Sequence, residues 1–140
     1  MEIDPKDLLI GIVGVCASGK STLNRLLINR GYKCRHIAQE HSYVKDMWKR
    51  LTNPDLLIFL EVSYAKTLSR KNLNWSQKEY EIQLERLKNA YEHADIRIAT
   101  DDLNPDQRGD DRSSLAPLMR YWAAHLREMA TLLPADRNAV

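Results

Sequence analysis

The chain predicts an α/β protein: a short, mainly parallel sheet of about four strands in the order 2-1-3-4, sandwiched between helices in three layers. Three observations carry this. Apolar runs alternate with segments of helical spacing along most of the chain, the pattern of strand–helix–strand units. The runs at 8–13 and 56–62 are apolar almost throughout, as strands covered on both faces are. The first run passes directly into a glycine-bounded turn and then a helix, and the strand ends of such sheets are where ligands bind.

Taken in order, Leu8-Leu9-Ile10-Gly11-Ile12-Val13 forms the first strand. The helix from about 20 to 30 carries Leu23, Leu26 and Leu27 on one face, and Gly31 follows where a helix commonly ends on a left-handed residue. Cys34–Gln39 is the second strand, weakened by Arg35 and His36. Val44, Met47, Trp48 and Leu51 recur at helical spacing before Asn53-Pro54. Leu56–Val62 is the clearest buried strand, and a short helix covers about 64–71. Ser76 and Glu79 make a capping box that opens a helix to about 93. Its apolar stripe is Tyr80, Leu84, Leu87, Tyr91 and Ala94. Ile96, Ile98 and Ala99 give the fourth strand, Asn104-Pro105 starts a helical turn, and 108–112 is a polar loop. A last helix over about 114–133 aligns Leu115, Leu118, Met119, Trp122, Leu126, Met129 and Leu133. That face packs on the rest of one domain spanning 1–140; the alternative is that it joins two copies in a homodimer.

Composition narrows the function classes. A hydrophobic share of 44% and a charged share of 29% describe an ordinary globule. A net charge of +2 is too small to argue for nucleic acid or an anionic membrane. No stretch approaches the ~20 apolar residues that span a bilayer, and Met1–Pro5 lacks the basic and apolar regions of a signal peptide. Cys16 and Cys34 have no metal-like spacing, so a reduced, cytoplasmic setting is expected.

The chemistry concentrates in Gly14-Val15-Cys16-Ala17-Ser18-Gly19-Lys20-Ser21-Thr22, which follows the pattern G-x-x-x-x-G-K-[ST] between a strand and a helix. Glycines at 14 and 19 allow turn conformations in which successive N–H groups converge on one anion. The helix that starts near Lys20 adds its unpaired amides and positive dipole end. Lys20 can reach the β- and γ-phosphates of a nucleotide, and the Ser21 hydroxyl is placed for Mg²⁺. Such a site also needs an acid at a neighbouring strand end. Glu40 closes the second strand, next to the loop in the expected order, and serves as a magnesium partner or base; Glu61, ending the third strand, is the alternative. His41 and Ser42 border the same place. Arg70, with Lys66 and Lys71 nearby, can contact a transferring phosphoryl group, while Asp101 and Asp102 fix the turn after the fourth strand.

Gly14–Thr22 with its preceding strand resembles the phosphate loop of the P-loop kinases of small molecules, such as the nucleoside, shikimate and dephospho-coenzyme A kinases. Asp55–Ser63 followed by Arg70, and Tyr91–Asp101 leading to Leu103-Asn104-Pro105, are looser likenesses to their later strands. The resemblance implies a P-loop NTPase fold binding ATP and Mg²⁺, with Lys20 on the β- and γ-phosphates, Ser21 on the metal and Arg70 at the transferred group. It implies γ-phosphoryl transfer from Mg·ATP to a small-molecule acceptor of unspecified identity. The segment 41–54 stands where those kinases insert an acceptor-binding region, and 70–75 where they carry a lid. That brevity keeps a regulatory or adaptor NTPase with slow hydrolysis as the alternative. An Asn-Lys-x-Asp tetrad for guanine is missing, and nothing in the sequence specifies adenine.

Overall fold

A computed structural model describes residues 5–70 and 74–101 of the chain. The strand Leu9–Gly14 (β1) lies inside the sheet, with Lys33–His36 (β2) on one side and Leu56–Glu61 (β3) on the other; Ile96–Ala99 (β4) follows β3 at the far edge. All three pairings are parallel, giving the order 2-1-3-4. The helices are Lys20–Asn29 (α1), Met47–Leu51 (α2), Tyr64–Arg70 (α3) and Gln77–His93 (α4).

Alternation along β3 divides the core between the two sheet faces. Leu56, Ile58 and Leu60 join Ile10, Ile12, Ile96 and Ile98 beneath Leu23 and Leu27 of α1. Leu57 and Phe59 join Val13 and Val15 beneath Leu87 and Ala90 of α4 and Trp48 of α2. Helices on both faces make three layers. Each such leucine or isoleucine contributes ~1.5–3 kcal/mol by leaving water, which explains why the most apolar strand lies between two others.

Two aspartates repeat one device at the strand starts. Asp55 stands just before β3, and its Oδ2 accepts from the Leu9 N–H at 2.8 Å while its own N–H donates to Leu9 O at 2.8 Å. Asp95 stands just before β4 and does the same to Leu57, again at 2.8 Å in both directions. Each carboxylate supplies the acceptor that the parallel ladder cannot offer at its beginning. These clamps set the stagger by which the strands end at one edge. At the close of α1, Gly31 takes φ +90°, with Gly31 N–H donating to Ile28 O and Tyr32 N–H to Leu27 O, the left-handed stop expected there.

Several boundaries differ from the sequence expectation. β2 ends at His36 rather than continuing to Gln39: the Ile37 N–H still donates to Ile12 O at 2.8 Å, and the chain then turns into a 3₁₀ segment, Gln39–His41. The cause is Gln39, wholly buried, whose side chain accepts from the Trp48 N–H and donates to Val44 O and Arg86 O. α2 is only Met47–Leu51; Val44 lies outside it, and of the expected apolar series only Trp48 is buried, while Leu51 is exposed. On α4 the buried line is Gln83, Leu87 and Ala90, whereas Leu84 and Tyr91 are partly exposed. Apolar periodicity missed this because a glutamine occupies the central face. The Ser76 half of the capping box is present, with Glu79 N–H donating to Ser76 Oγ at 3.1 Å.

Among the described residues no helix is long and apolar enough to cross a membrane. Lys71, Asp102, the Asn104-Pro105 turn, the 108–112 loop and the 114–133 helix with its packing or dimer role lie outside the described residues.

Replacing Asp95 by alanine should remove the acceptor from the buried Leu57 N–H and lower stability by about 1–3 kcal/mol in urea unfolding. Replacing Asp46, whose ion pair with Arg50 is solvent-exposed, should leave the unfolding midpoint unmoved.

Candidate functional site

β1 ends at Gly14, and Val15–Gly19 fold over the sheet's C-terminal edge into α1. The turn is closed by the Ser18 N–H donating to Val15 O at 3.1 Å, and α1 begins with Leu23 N–H donating to Gly19 O at 3.0 Å. Two residues are left-handed, Ala17 at φ +67° and Gly19 at φ +105°. Gly14 is not one of them, contrary to the expectation from the motif. Its requirement is close packing: a Cβ there would stand 2.6 Å from Ser18 Oγ and 2.8 Å from Leu60 O. The N-cap of α1 is Gly19, with no side-chain cap and no acid in the first turn. The helix therefore presents unpaired N–H groups and an uncompensated positive end to the loop. Ser21 is exposed on that first turn, with Thr22 half-buried beside it.

Lys20 turns back over the loop. Its ammonium donates to Gly14 O at 2.7 Å and Val15 O at 3.1 Å, and pairs with Glu40 Oε2 at 2.7 Å. Glu40 sits in the turn after β2, not at the end of the strand, yet the adjacency of β2 to β1 brings it to Lys20. The carboxylate is 5% exposed, and its second oxygen, Oε1, is buried with no hydrogen-bond partner among the described residues. Ser18 Oγ is a second such atom.

Cys16 is held by α4. Its N–H donates to Gln83 Oε1 at 3.0 Å, and Gln83 Nε2 donates to its sulfur at 3.2 Å. On the open side, His41 Nε2 lies 3.7 Å from Cys16 Sγ and 3.8 Å from Glu40 Oε2. Arg86 Nη1 donates to Glu40 O at 3.3 Å, so α4 also steadies the turn that carries the acid.

Arg70 reaches the loop from α3, where its guanidinium is engaged by protein oxygens. Nη1 donates to Ala17 O at 3.2 Å and to Thr100 Oγ1 at 2.9 Å, and Nη2 donates to Thr100 O. The single Thr100 hydroxyl proton is shared between Ser18 O and Glu61 O, at 3.2 and 3.0 Å from Oγ1. Asp101 Oδ1 accepts from the Ser63 N–H at 2.8 Å, tying the end of β4 to the start of α3. α3 is oriented by Trp75, whose indole N–H donates to the buried Thr67 Oγ1 at 2.9 Å. Lys66 is exposed.

Lys20, Glu40, His41, Cys16 and Arg70 thus meet around one loop. Glu61 does not; it lines a cavity of about 460 Å³ between β3 and α4, together with Val15, Tyr80, Leu84, Lys88 and Tyr91. Burial first, then the Asp101 and Glu61 charges, raises the Tyr80 phenol above its ordinary range. Sequence reasoning missed Gln83, Gln39 and Thr100. A polar residue within the apolar face of a helix was the available signal for Gln83; Gln39 and Thr100 carried none, because their partners are mostly main-chain atoms, which leave no mark on residue type.

Gly14→Ala should lower stability by about 1–3 kcal/mol through overpacking against backbone. Gly19→Ala, which meets no atom but keeps a positive φ, should cost about 1–2 kcal/mol. Urea unfolding of both variants checks the two values. No protein-family model matches the chain, and no curated protein matches it.

Proposed function

We propose that the protein has a P-loop NTPase fold, binds Mg·ATP over residues 14–22, and transfers the γ-phosphoryl group to a small acceptor hydroxyl or phosphate. The observation that carries this reading is the Lys20 ammonium, fastened to Gly14 O and Glu40 at 2.7 Å, at the foot of a helix whose first turn holds neither cap nor acid. Positive charge and unpaired amides are then focused on one hollow, as polyphosphate binding requires.

The residues fit a hard divalent cation. Glu40 Oε1 is a buried carboxylate oxygen without a hydrogen-bond partner among the described residues, and Ser21, in the first turn of α1, is exposed; both are oxygen donors of the kind magnesium takes. Bound Mg²⁺ supplies neutralisation of the charge on the phosphate oxygens. Lys20 would exchange its carbonyl contacts for the β- and γ-phosphates, and Arg70, already 3.2 Å from Ala17 O, would approach the transferred group. Glu40 would hold a metal-bound water or accept the acceptor's proton. Positioning and charge neutralisation account for the acceleration, with no covalent enzyme intermediate.

One observation favours a second reading, a nucleotide-dependent switch with slow hydrolysis. Between β2 and β3 the chain has only a three-residue 3₁₀ turn and the five-residue α2, little with which to enclose an acceptor and exclude water.

Thermal unfolding with Mg·ATP, Mg·GTP or neither tests the binding step: at a hundred times its dissociation constant the right nucleotide adds ~2.7 kcal/mol. Lys20→Ala should erase that increment. Because this variant strands the buried Glu40 charge, Lys20→Ala with Glu40→Gln serves as the second comparison, and it too should show no increment. Glu40→Gln alone should keep the increment and lose turnover; loss of turnover in Glu61→Gln instead would move the acid to β3. Turnover that no acceptor pool stimulates would favour the switch over the kinase.

A further inference from the structure

We propose that Cys16, Glu40 and His41 form a binding site for a borderline-soft divalent cation of the zinc type, at the mouth of the 14–22 loop. One ligand atom from each lies within 4.8 Å of the other two. His41 Nε2 stands 3.7 Å from the Cys16 sulfur and 3.8 Å from Glu40 Oε2. A tetrahedral zinc shell with bonds of about 2.0–2.3 Å separates its donor atoms by roughly 3.3–3.7 Å. The imidazole is 59% exposed and can turn toward a cation held between the Cys16 sulfur and the Glu40 carboxylate.

Two features mark this as a built site. The carboxylate of Glu40 is buried, with Oε2 facing His41 and the other oxygen, Oε1, without a hydrogen-bond partner among the described residues, so it retains unused acceptor capacity. Cys16 is oriented from behind by Gln83, which binds its main-chain N–H and donates to its sulfur. Thiolate, imidazole and carboxylate together select zinc-class ions over magnesium or calcium. Three protein ligands leave a fourth position for water. As the sulfur–metal bond forms, the Cys16 S–H proton passes to solvent. The thiolate and the Glu40 carboxylate offset the cation's two charges, so the neighbouring Lys20 ammonium is tolerated. The other thiol does not compete: Cys34 packs against the α1-side core, and burial pushes it up to about 12.

Occupancy draws the Glu40 charge toward the cation and pins Cys16 within the loop. Zinc is therefore expected to oppose nucleotide binding; this consequence rests on the function proposed above, whereas the site itself does not. The experiment separating the two is titration of the untagged full chain with Co²⁺, without nucleotide and with a phosphine reductant. The expected result is a thiolate-to-cobalt charge-transfer band with intense four-coordinate d–d bands, saturating at a single equivalent and bleached by Zn²⁺. Cys16→Ser should abolish the charge-transfer band, and Cys34→Ser should leave it unchanged. His41→Ala, a surface substitution that spares the fold, should weaken Co²⁺ binding at least about tenfold, with far-UV circular dichroism confirming that each variant is folded. Absence of the band in the native chain, its persistence in Cys16→Ser, or undiminished affinity in His41→Ala would overturn the site. Nucleotide stabilisation that survives saturating Zn²⁺ would overturn only the opposition.

Discussion

The arrangement depends on a buried ion pair between residues twenty positions apart. Lys20 opens α1 and Glu40 lies in the turn after β2, and they meet at 2.7 Å with 11% and 5% of their side chains exposed. Removing two charges from water costs several kcal/mol per ion, so such a pair is weak support for stability. Here Lys20 recovers part of that cost through the Gly14 and Val15 carbonyls, while Glu40 keeps one oxygen without a hydrogen bond. The pair exists because β2 lies beside β1; a different strand order would send the acid elsewhere. It is the point where sheet topology becomes local chemistry.

Helix α4 is the template that holds this point in place, through polar side chains. Gln83 grips Cys16 at both its N–H and its sulfur, Arg86 donates to Glu40 O and lies 4.6 Å over the Tyr43 ring, and Asn89 accepts from the Trp48 indole at 3.0 Å. Spaced three apart, the three project along one side of the helix. They address the loop, the turn and α2 in that order. Leu87 and Ala90 bury the adjacent line against the sheet, so burial fixes the helix while the polar row aligns the loop and turn.

Legibility in the sequence follows how local each cause is. The strands as apolar runs, the left-handed stop at Gly31 and the Ser76 cap rest on contacts within a few residues or on runs of one hydropathy, and all three are visible in composition and spacing; the order 2-1-3-4 joins residues tens of positions apart and is expected from sequence only as the simplest order for parallel strands. The early exit of β2 rests on Gln39 reaching Val44, Trp48 and Arg86, two of them several residues onward and one 47 positions away, which no window of sequence displays. The α4 stripe was legible in part: Leu87 is buried and Tyr80 and Ala94 pack on the same core, but Gln83, which bonds Cys16 at its N–H and its sulfur across 67 positions, was not in it. For the candidate site, the nearness of Lys20 to Glu40 was legible through topology. The present partners of Arg70 were not, since main-chain carbonyls leave no mark on residue choice.

The loop's geometry carries its own cost, and the cost bears on how an anion would bind. Ala17 occupies φ +67°, disfavoured for a residue with a Cβ by about 1–2 kcal/mol, and Ser18 Oγ is buried without a partner. Folded-state contacts around the loop sustain both: Thr100 and Arg70 bind the Ser18 and Ala17 carbonyls. With the outward-facing carbonyls held from outside, peptide units on either side cannot rotate independently. On the reading proposed here, the loop meets a phosphate without further ordering, and Lys20 trades one set of oxygens for another rather than leaving water at that moment. Affinity then depends on the difference between phosphate oxygens and the Gly14 and Val15 carbonyls as partners for one ammonium. That difference is charge: a carbonyl offers a dipole, whereas a phosphate offers a full negative charge.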